Sequence, residues 1–401
     1  MPLPPIPLDG FLLSASGSLS RSGETLLTGN TMTDDVLTLV LAGDLILDEP
    51  DPGYWLSGIA PALRQADLAI GHLEVPHTDC RDEMTGDVPS PGAPPENLAA
   101  LAEAGFSMVS LAGNHMADCG PQGIADTIAG LEAVGIAHAG AGLNIRAARR
   151  AAVVTVNGLR VALLSYNCVG PETGWAGPAS AGSAYLPLEA ADGAPVTPRS
   201  AIVAIAPKAY AILAEDLAIA RADADVVLVA LHKGRVHTPS VLEPYESPLA
   251  RAAIELGADA VISHHAHIAR GVEFHHGKPI FHGLGNGCVV TRALSPSQAH
   301  PTRREWAQRR KALFGFEPDP DYTLAPFHPE AKQALLGRLQ VGREGVAQAS
   351  IVPVWVEPPG RPVLASGERA EQVRRYLEHI TVAAGLDAIT VDPSGRVAPA
   401  A

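Results

Sequence analysis

From Val36 onward the chain alternates short apolar runs with longer amphipathic ones. Residues 36–42 are apolar and largely branched and stop at Gly43, which predicts a buried strand. The same pattern predicts strands at 68–70, 107–111, 225–231, 259–262, 279–281 and 350–356. Helices are predicted at 61–67, with proline in the first turn, at 95–104 before Gly105, and at 122–134 before Gly135. Further helices are predicted at 210–221, 248–256 and 371–384. Residues 153–156 and 160–165 flank Asn157-Gly158, a strong hairpin dipeptide. Strand and helix in alternation with short links is an α/β pattern, and the hairpin and late strands call for mixed sheets.

Two stretches interrupt this rhythm. Residues 170–207 are rich in Gly, Ala, Pro and Ser and read as a long loop. Residues 291–341 carry Arg303, Arg304, Arg309, Arg310 and Lys311 and read as an insertion with two helices over one edge of the site. The basic cluster is expected to be a solvated helix face. Residues 1–32, Pro-rich and then Ser/Gly-rich, read as a mobile leader, with Met32 as an alternative start. The expected layout is a catalytic domain at 33–290, an insertion and C-terminal extension packed on it at 291–390, and a tail at 391–401.

Composition narrows the class. Of 401 residues, 47% are hydrophobic, enough for a sizeable core. The formal net charge of −14 argues against nucleic acid and against an anionic membrane. No run reaches the roughly 18 apolar residues of a membrane span. Four cysteines without C-x-x-C spacing fit a reducing cytoplasm rather than a disulfide scaffold. The expected partner is therefore a small-molecule or peptide substrate, and the expected compartment is cytoplasmic.

Each predicted strand ends in polar groups that strand propensity does not explain. They are Gly43-Asp44, His72-Leu73-Glu74, Gly113-Asn114-His115, His232-Lys233-Gly234 and His264-His265-Ala266-His267. In α/β sheets the carboxyl ends of strands converge on one crevice. Carboxylate, amide and imidazole together suit Zn, Mn or Fe. Three histidines in four residues after an apolar strand are costly to bury without partners.

Taken in order, Gly43-Asp44, Leu73-Glu74, Leu111-Ala112-Gly113-Asn114-His115 with Asp118 and Gly120, His232 with Gly234, His265-x-His267 and Gly283-Leu284-Gly285-Asn286 resemble the CapA family. These are poly-γ-glutamate capsule synthesis proteins, a branch of the calcineurin-like metallophosphatase superfamily. Gly140-Ala141-Gly142 and Ala148-Arg149-Arg150 are also similar to that family. The resemblance covers about residues 36–290 and, more loosely, the chain to about 390. It implies a four-layer αββα sandwich with the site at the edges of the sheets. It implies metal ligands Asp44, Glu74, Asn114, His232, His265 and His267, for one or two divalent cations. His115 would be the acid or transition-state stabiliser, oriented by Asp118.

The chain departs from the pattern in three places. Wider metallophosphatases place a histidine two residues after the first aspartate, where this chain has Ile46, so one metal shell is thinner. The usual Asn-Asn-His is Gly113-Asn114-His115. Lys233 replaces an aromatic residue, either as a substrate anchor or base of lowered pKa, or as a charge that weakens metal binding. His282, beside Gly283, is added to the expected site, whereas His72, His77 and His237 are read as ordinary core or surface histidines.

Two activities follow as expectations. The first is a hydrolase acting on an ester or amide bond, γ-glutamyl and peptide bonds included, through a metal-bound hydroxide. The second is a metal-independent epimerase using the same Asp and His residues as an acid/base pair on a peptide Cα. A non-catalytic protein holding an anionic polymer is disfavoured by the charge of −14.

Overall fold

Leu37, Leu39 and Leu41 point to one side of the first strand, Leu37–Leu47, while Val40 and Ala42 point to the other, and both sides are buried. That explains why the run is continuously apolar rather than alternating. The computed structural model describes residues 36–84, 90–293, 301–316, 319–324 and 328–400. The expected leader at 1–32 lies outside them.

Two sheets form the centre. In the first, Leu37–Leu47 pairs in parallel with Leu68–Leu73, which is followed by Phe106–Ser110 and Ala137–Ala139. Asn286–Val290 runs parallel along the distal half of Leu37–Leu47. On the other flank Gln333–Gly342 and Gly345–Glu357 add antiparallel strands. The second sheet is ordered Val272–His275, Lys278–Phe281, Ala260–His264, Val226–His232, Leu159–Asn167 and Ala152–Val156. Its central strands are parallel and its edges are closed by hairpins, one of them turning at Asn157 and Gly158, both at positive φ.

Three apolar layers hold this together. Leu39, Leu41, Ile70 and Met108 of the first sheet face Val161, Leu163, Leu228 and Ile262 of the second. Outside the first sheet, Val40, Ala69 and Val109 meet Leu63, Leu101, Ile124 and Leu131 of its helices. Outside the second, Leu164, Val229 and Val261 meet Leu213 and Leu217 of Pro207–Asp223 and Leu249 of Glu246–Glu255. Helix, sheet, sheet, helix is the expected αββα order.

Three expectations are corrected. Residues 333–342, read as part of a helical insertion, are a strand hydrogen-bonded to the first strand itself. Leu335, Leu339 and Val341 enter the inter-sheet layer while Ala334 and Leu336 face the helices, so the two buried faces hide the period-two signal. Gly337 allows the close approach, since a Cβ there would stand 3.3 Å from Leu41 Cβ. The loop at 170–207 contains the short strands Gly182–Ser183, Leu188–Ala190 and Ile202–Ile205. The tail forms Arg396–Pro399, paired with Ile389–Val391. A helix, Pro301–Phe314, does occupy the basic stretch, with Arg304, Arg309 and Lys311 exposed.

Candidate metal centre and its surroundings

The parallel strands of both sheets end on one edge, and the polar groups of the sequence motifs meet there. Asp44 sits on an irregularity of the first strand, where the register shifts against both neighbours. Its N–H donates to Gly285 O at 3.0 Å. Gly43 is required for this contact, because a Cβ would stand 1.8 Å from Gly285 O. Glu74 follows the second strand, His232 ends Val226–His232, and His264 ends Ala260–His264 beside it.

The first group of donors is Asp44, Glu74 and His267, whose ligand atoms lie within 4.8 Å of one another. His267 Nε2 is 3.2 Å from Glu74 Oε1, and its Nδ1 is 3.5 Å from Asp44 Oδ2 and 2.9 Å from Asn286 Oδ1. Burial alone would lower the pKa of this imidazole, but Glu74 and Asp44 outweigh it and push it up to about 9. Asp44 is likewise subject to desolvation, which disfavours its charge, yet His264, His267 and His72 hold it well below the usual carboxylate range.

The second group is Asp44, His72 and His232, again within 4.8 Å. The rings of His72 and His232 are 4.6 Å apart, and those of His232 and His265 are 4.8 Å apart. Desolvation first, and mutual repulsion second, hold His72 and His232 well below the ordinary histidine value. The same two causes bring His265 down to about 3. These rings are therefore neutral, the form that ligates a metal. Asn114 Oδ1 lies 2.7 Å from His232 Nε2 and accepts its proton when Nδ1 carries the lone pair.

Whether these residues fit a cation is answered by their unmet hydrogen bonds. Glu74 Oε2, His72 Nε2, His232 Nδ1 and His265 Nδ1 are buried without a hydrogen-bond partner, and Asp44 Oδ2 and Glu74 Oε1 have only the His267 ring beside them. Native proteins rarely leave so many buried polar atoms unsatisfied at one place. His265 and His267 also adopt φ of 87° and 52°, a left-handed backbone costing about 1–3 kcal/mol each. Carboxylate oxygens and neutral imidazoles, unpartnered and convergent, suit one or two divalent cations of the Mn, Zn or Fe kind.

Beside this cluster, His115 Nδ1 lies 2.8 Å from Asp118 Oδ2, which also accepts from Ser90 N–H at 2.9 Å. His115 is close enough to contribute to the depressed pKa of His265. Asp118 also lines a cavity of about 610 Å³ with Met84, Ala117, Leu143 and Ser180.

All six expected ligands and the His115–Asp118 pair are thus brought together, with Asn114 engaged through His232. Lys233 and His282 are bonded to each other and to buried carboxylates beside them. His232 ends its strand in the cluster, and Lys233, the first residue past the strand end, is bonded to another group of side chains. Lys233 Nζ lies 2.7 Å from Glu246 Oε2 and 3.2 Å from His282 Nδ1. His282 Nε2 in turn meets Glu273 at 2.9 Å. Burial, then Lys233, brings His282 down to about 4. Two further histidines join the cluster, His264 of the three-histidine stretch and His72, which the sequence suggests is an ordinary core residue. His72 and His264 stack at 4.7 Å inside the cluster, and the signal for His72 was its place two residues before Glu74 on a strand beside Asp44.

A family model described as "Bacterial capsule synthesis protein PGA_cap" matches residues 26–289. The "Capsule biosynthesis protein CapA" of Bacillus anthracis is 27% identical over 294 residues, 70% of this chain and 66% of that protein. The "PGA biosynthesis protein CapA" of Bacillus subtilis is 25% identical over 285 residues, 67% of this chain and 69% of that protein. A "Probable polyglutamine synthesis accessory protein" of Mycobacterium tuberculosis is 31% identical over 196 residues, 48% of this chain and 47% of that protein. The chain thus spans about two thirds or less of these relatives' own length. Among solved structures, the calcineurin-like phosphoesterase YfkN from Bacillus subtilis aligns over 86% of this chain and 98% of its own, at 14% identity and a TM-score of 0.41. Among the described residues, no helix is long and apolar enough to cross a membrane. With the family model covering well over half of the sequence, the chain belongs to the bacterial capsule synthesis protein family, PGA_cap.

Proposed function

We propose that the chain is a metal-dependent hydrolase that cleaves an amide or ester bond of a γ-glutamyl or peptide substrate. The observation that carries this reading is the set of buried donor atoms without a hydrogen-bond partner on Glu74, His72, His232 and His265, converging with Asp44. A divalent cation bound there supplies a Lewis acid and lowers the pKa of water. The chain's own residues do the rest. Asp44 stands between the two donor groups and is common to both. Asn114 and Asn286 orient His232 and His267 through 2.7 and 2.9 Å contacts. Asp118 holds His115 through Nδ1, a pairing that suits the ring to exchange a proton with a leaving group. The relatives named for capsule and polyglutamine synthesis support a substrate with glutamyl amide bonds.

One observation favours the epimerase reading. His267 Nε2 lies 3.2 Å from Glu74 Oε1 and its Nδ1 3.5 Å from Asp44 Oδ2, an imidazole–carboxylate arrangement able to pass a proton. Metal analysis of protein purified without chelator separates the two, together with hydrolysis of γ-glutamyl-p-nitroanilide by the native chain, Asp44→Ala and His265→Ala. Bound metal, with hydrolysis abolished by either substitution and by EDTA, is expected. Full activity in metal-free protein, or solvent deuterium entering a substrate Cα in the presence of EDTA, would refute the hydrolase.

A further inference from the structure

Position 46, two residues beyond Asp44, holds isoleucine, and its side chain packs into the apolar layer under the helices. The imidazole that the wider metallophosphatase pattern places there has to come from elsewhere or be missing. On the adjacent parallel strand, the residue in register with Asp44 is His72. It is fully buried. Its Nδ1 lies 2.8 Å from Ser110 Oγ on the next strand, and its ring stacks on His264 at 4.7 Å and 22°. Two contacts thus fix the ring, and Nδ1–H donating to the serine leaves the lone pair on Nε2. That Nε2 has no hydrogen-bond partner and belongs to the same cluster as Asp44 and His232.

A second departure in sequence fits the first. Where the related pattern has a second asparagine, this chain has Gly113. A Cβ there would stand 3.0 Å from His72 Nε2 and 3.4 Å from His232 Cε1. A full side chain at 113 would enter the space in front of His72 Nε2 and crowd the edge of the His232 ring. The loss at 46, the histidine at 72 and the glycine at 113 are one spatial arrangement.

Resting on the metal-dependent reading above, we propose that His72 Nε2 is a ligand of a divalent cation held with Asp44 and His232, and that Gly113 keeps the coordination space open. His72 thereby supplies from the neighbouring strand the imidazole absent at position 46. The consequence is two cations sharing Asp44, one with His72 and His232 and one with Glu74 and His267.

The test titrates chelator-treated, refilled protein with Mn²⁺ alone and counts bound ions by mass spectrometry and by electron paramagnetic resonance. The native chain is expected to bind two Mn²⁺ with a spin-coupled signal. His72→Asn is expected to keep one and to weaken the other at least about 100-fold, since a direct ligand matters more than the outer partners worth about 10–100-fold. The coupled signal should collapse to that of an isolated ion, with one fewer imidazole nitrogen coupling. His77→Ala, another buried histidine whose Nε2 lacks a partner, should leave both sites intact. Should His72→Asn not fold, Gly113→Ala provides the second variant, with a raised dissociation constant for one ion only. Two ions and an unchanged signal in His72→Asn, or in Gly113→Ala, would overturn the assignment. A native chain that binds no Mn²⁺ would instead overturn the metal-dependent reading on which it rests.

Discussion

Lys233 Nζ lies 2.7 Å from Glu246 Oε2, and both side chains are completely buried. Glu246 also receives Arg270 through Nη1, at 3.0 and 2.8 Å to its two oxygens. One carboxylate therefore neutralises two buried cations, which makes the partners unequal. Lys233→Met leaves Glu246 still paired with Arg270 and is expected to cost about 1.5–3 kcal/mol, the range of a charged hydrogen bond. Glu246→Gln leaves two cations without a counter-charge and is expected to reach or exceed about 3–5 kcal/mol. Urea unfolding of both variants checks the order. The opposite order, or a Lys233→Met protein of native stability and no activity, would return Lys233 to the reacting centre.

The same cluster sets an acid limit. Burial opposes the charge of Glu246, but Lys233 and Arg270 outweigh it and hold its pKa down to about 2 from an ordinary 4.5. A group depressed on folding contributes stability above its unfolded value and loses it as pH falls towards the folded one. Between pH 4.5 and about 2 the protein should therefore lose stability progressively, and Glu246→Gln should lose less over that window. Melting temperatures across the interval, native against variant, measure the difference. Parallel pH curves would remove Glu246 from the account.

How much of this was legible beforehand depended on where each signal lay. Asp44, Glu74, Asn114, His232, His265 and His267 stand at or near strand ends in chain order, and it was the resemblance to the CapA family in that order that implied them. His72 lies within a strand whose six residues are all buried, and only the sheet register shows that it faces Asp44. Lys233 is adjacent to a site residue in sequence but bonded to other partners, and one of them, Glu246, comes from a helix thirteen residues on. The strand Gln333–Gly342 was hidden because both its faces are buried and its partner is about 300 residues earlier. Local periodicity reads one element at a time, whereas pairing between distant elements is a tertiary property.

His115 and Asp118 act as a pair, so their substitutions should differ in kind. If His115 exchanges the proton as proposed, His115→Ala should lower turnover of γ-glutamyl-p-nitroanilide by about 10²–10⁴-fold. Asp118→Asn keeps the ring but replaces the carboxylate that accepts from His115 at 2.8 Å. A smaller drop is expected, together with a shift of the basic limb of the pH–rate profile to lower pH, because the imidazolium loses its counter-charge. An unshifted profile would leave Asp118 with a purely structural part through Ser90.

Cysteine chemistry gives an independent check on burial. Cys119, Cys168 and Cys288 are buried, and Cys80 is partly exposed. Burial raises the Cys119 thiol to about 11 and the Cys168 thiol to about 12, so neither offers thiolate at neutral pH. A thiol reagent should label one cysteine in the native protein and four in urea. Rapid native labelling of Cys168 would contradict the packing of the second sheet against its helices.

Gly43 tests whether the site depends on backbone approach. A Cβ at 43 would stand 1.8 Å from Gly285 O and 2.7 Å from Gly285 C, both backbone atoms that cannot swing aside. Asp44 N–H donates to that same carbonyl, so relieving the clash pulls away the hydrogen bond that seats Asp44. Gly135 offers the contrast: its φ is +76° but nothing lies within 4 Å of its added Cβ. Gly135→Ala should therefore cost only the left-handed backbone, about 1–2 kcal/mol. Gly43→Ala should cost at least the upper end of overpacking, about 3 kcal/mol. It should also weaken both cations, since Asp44 is common to their two donor groups. Unfolding midpoints and Mn²⁺ titrations of the two variants decide the matter. A Gly43→Ala protein with native stability and two tightly bound ions would mean that the strand end yields more easily than its contacts imply.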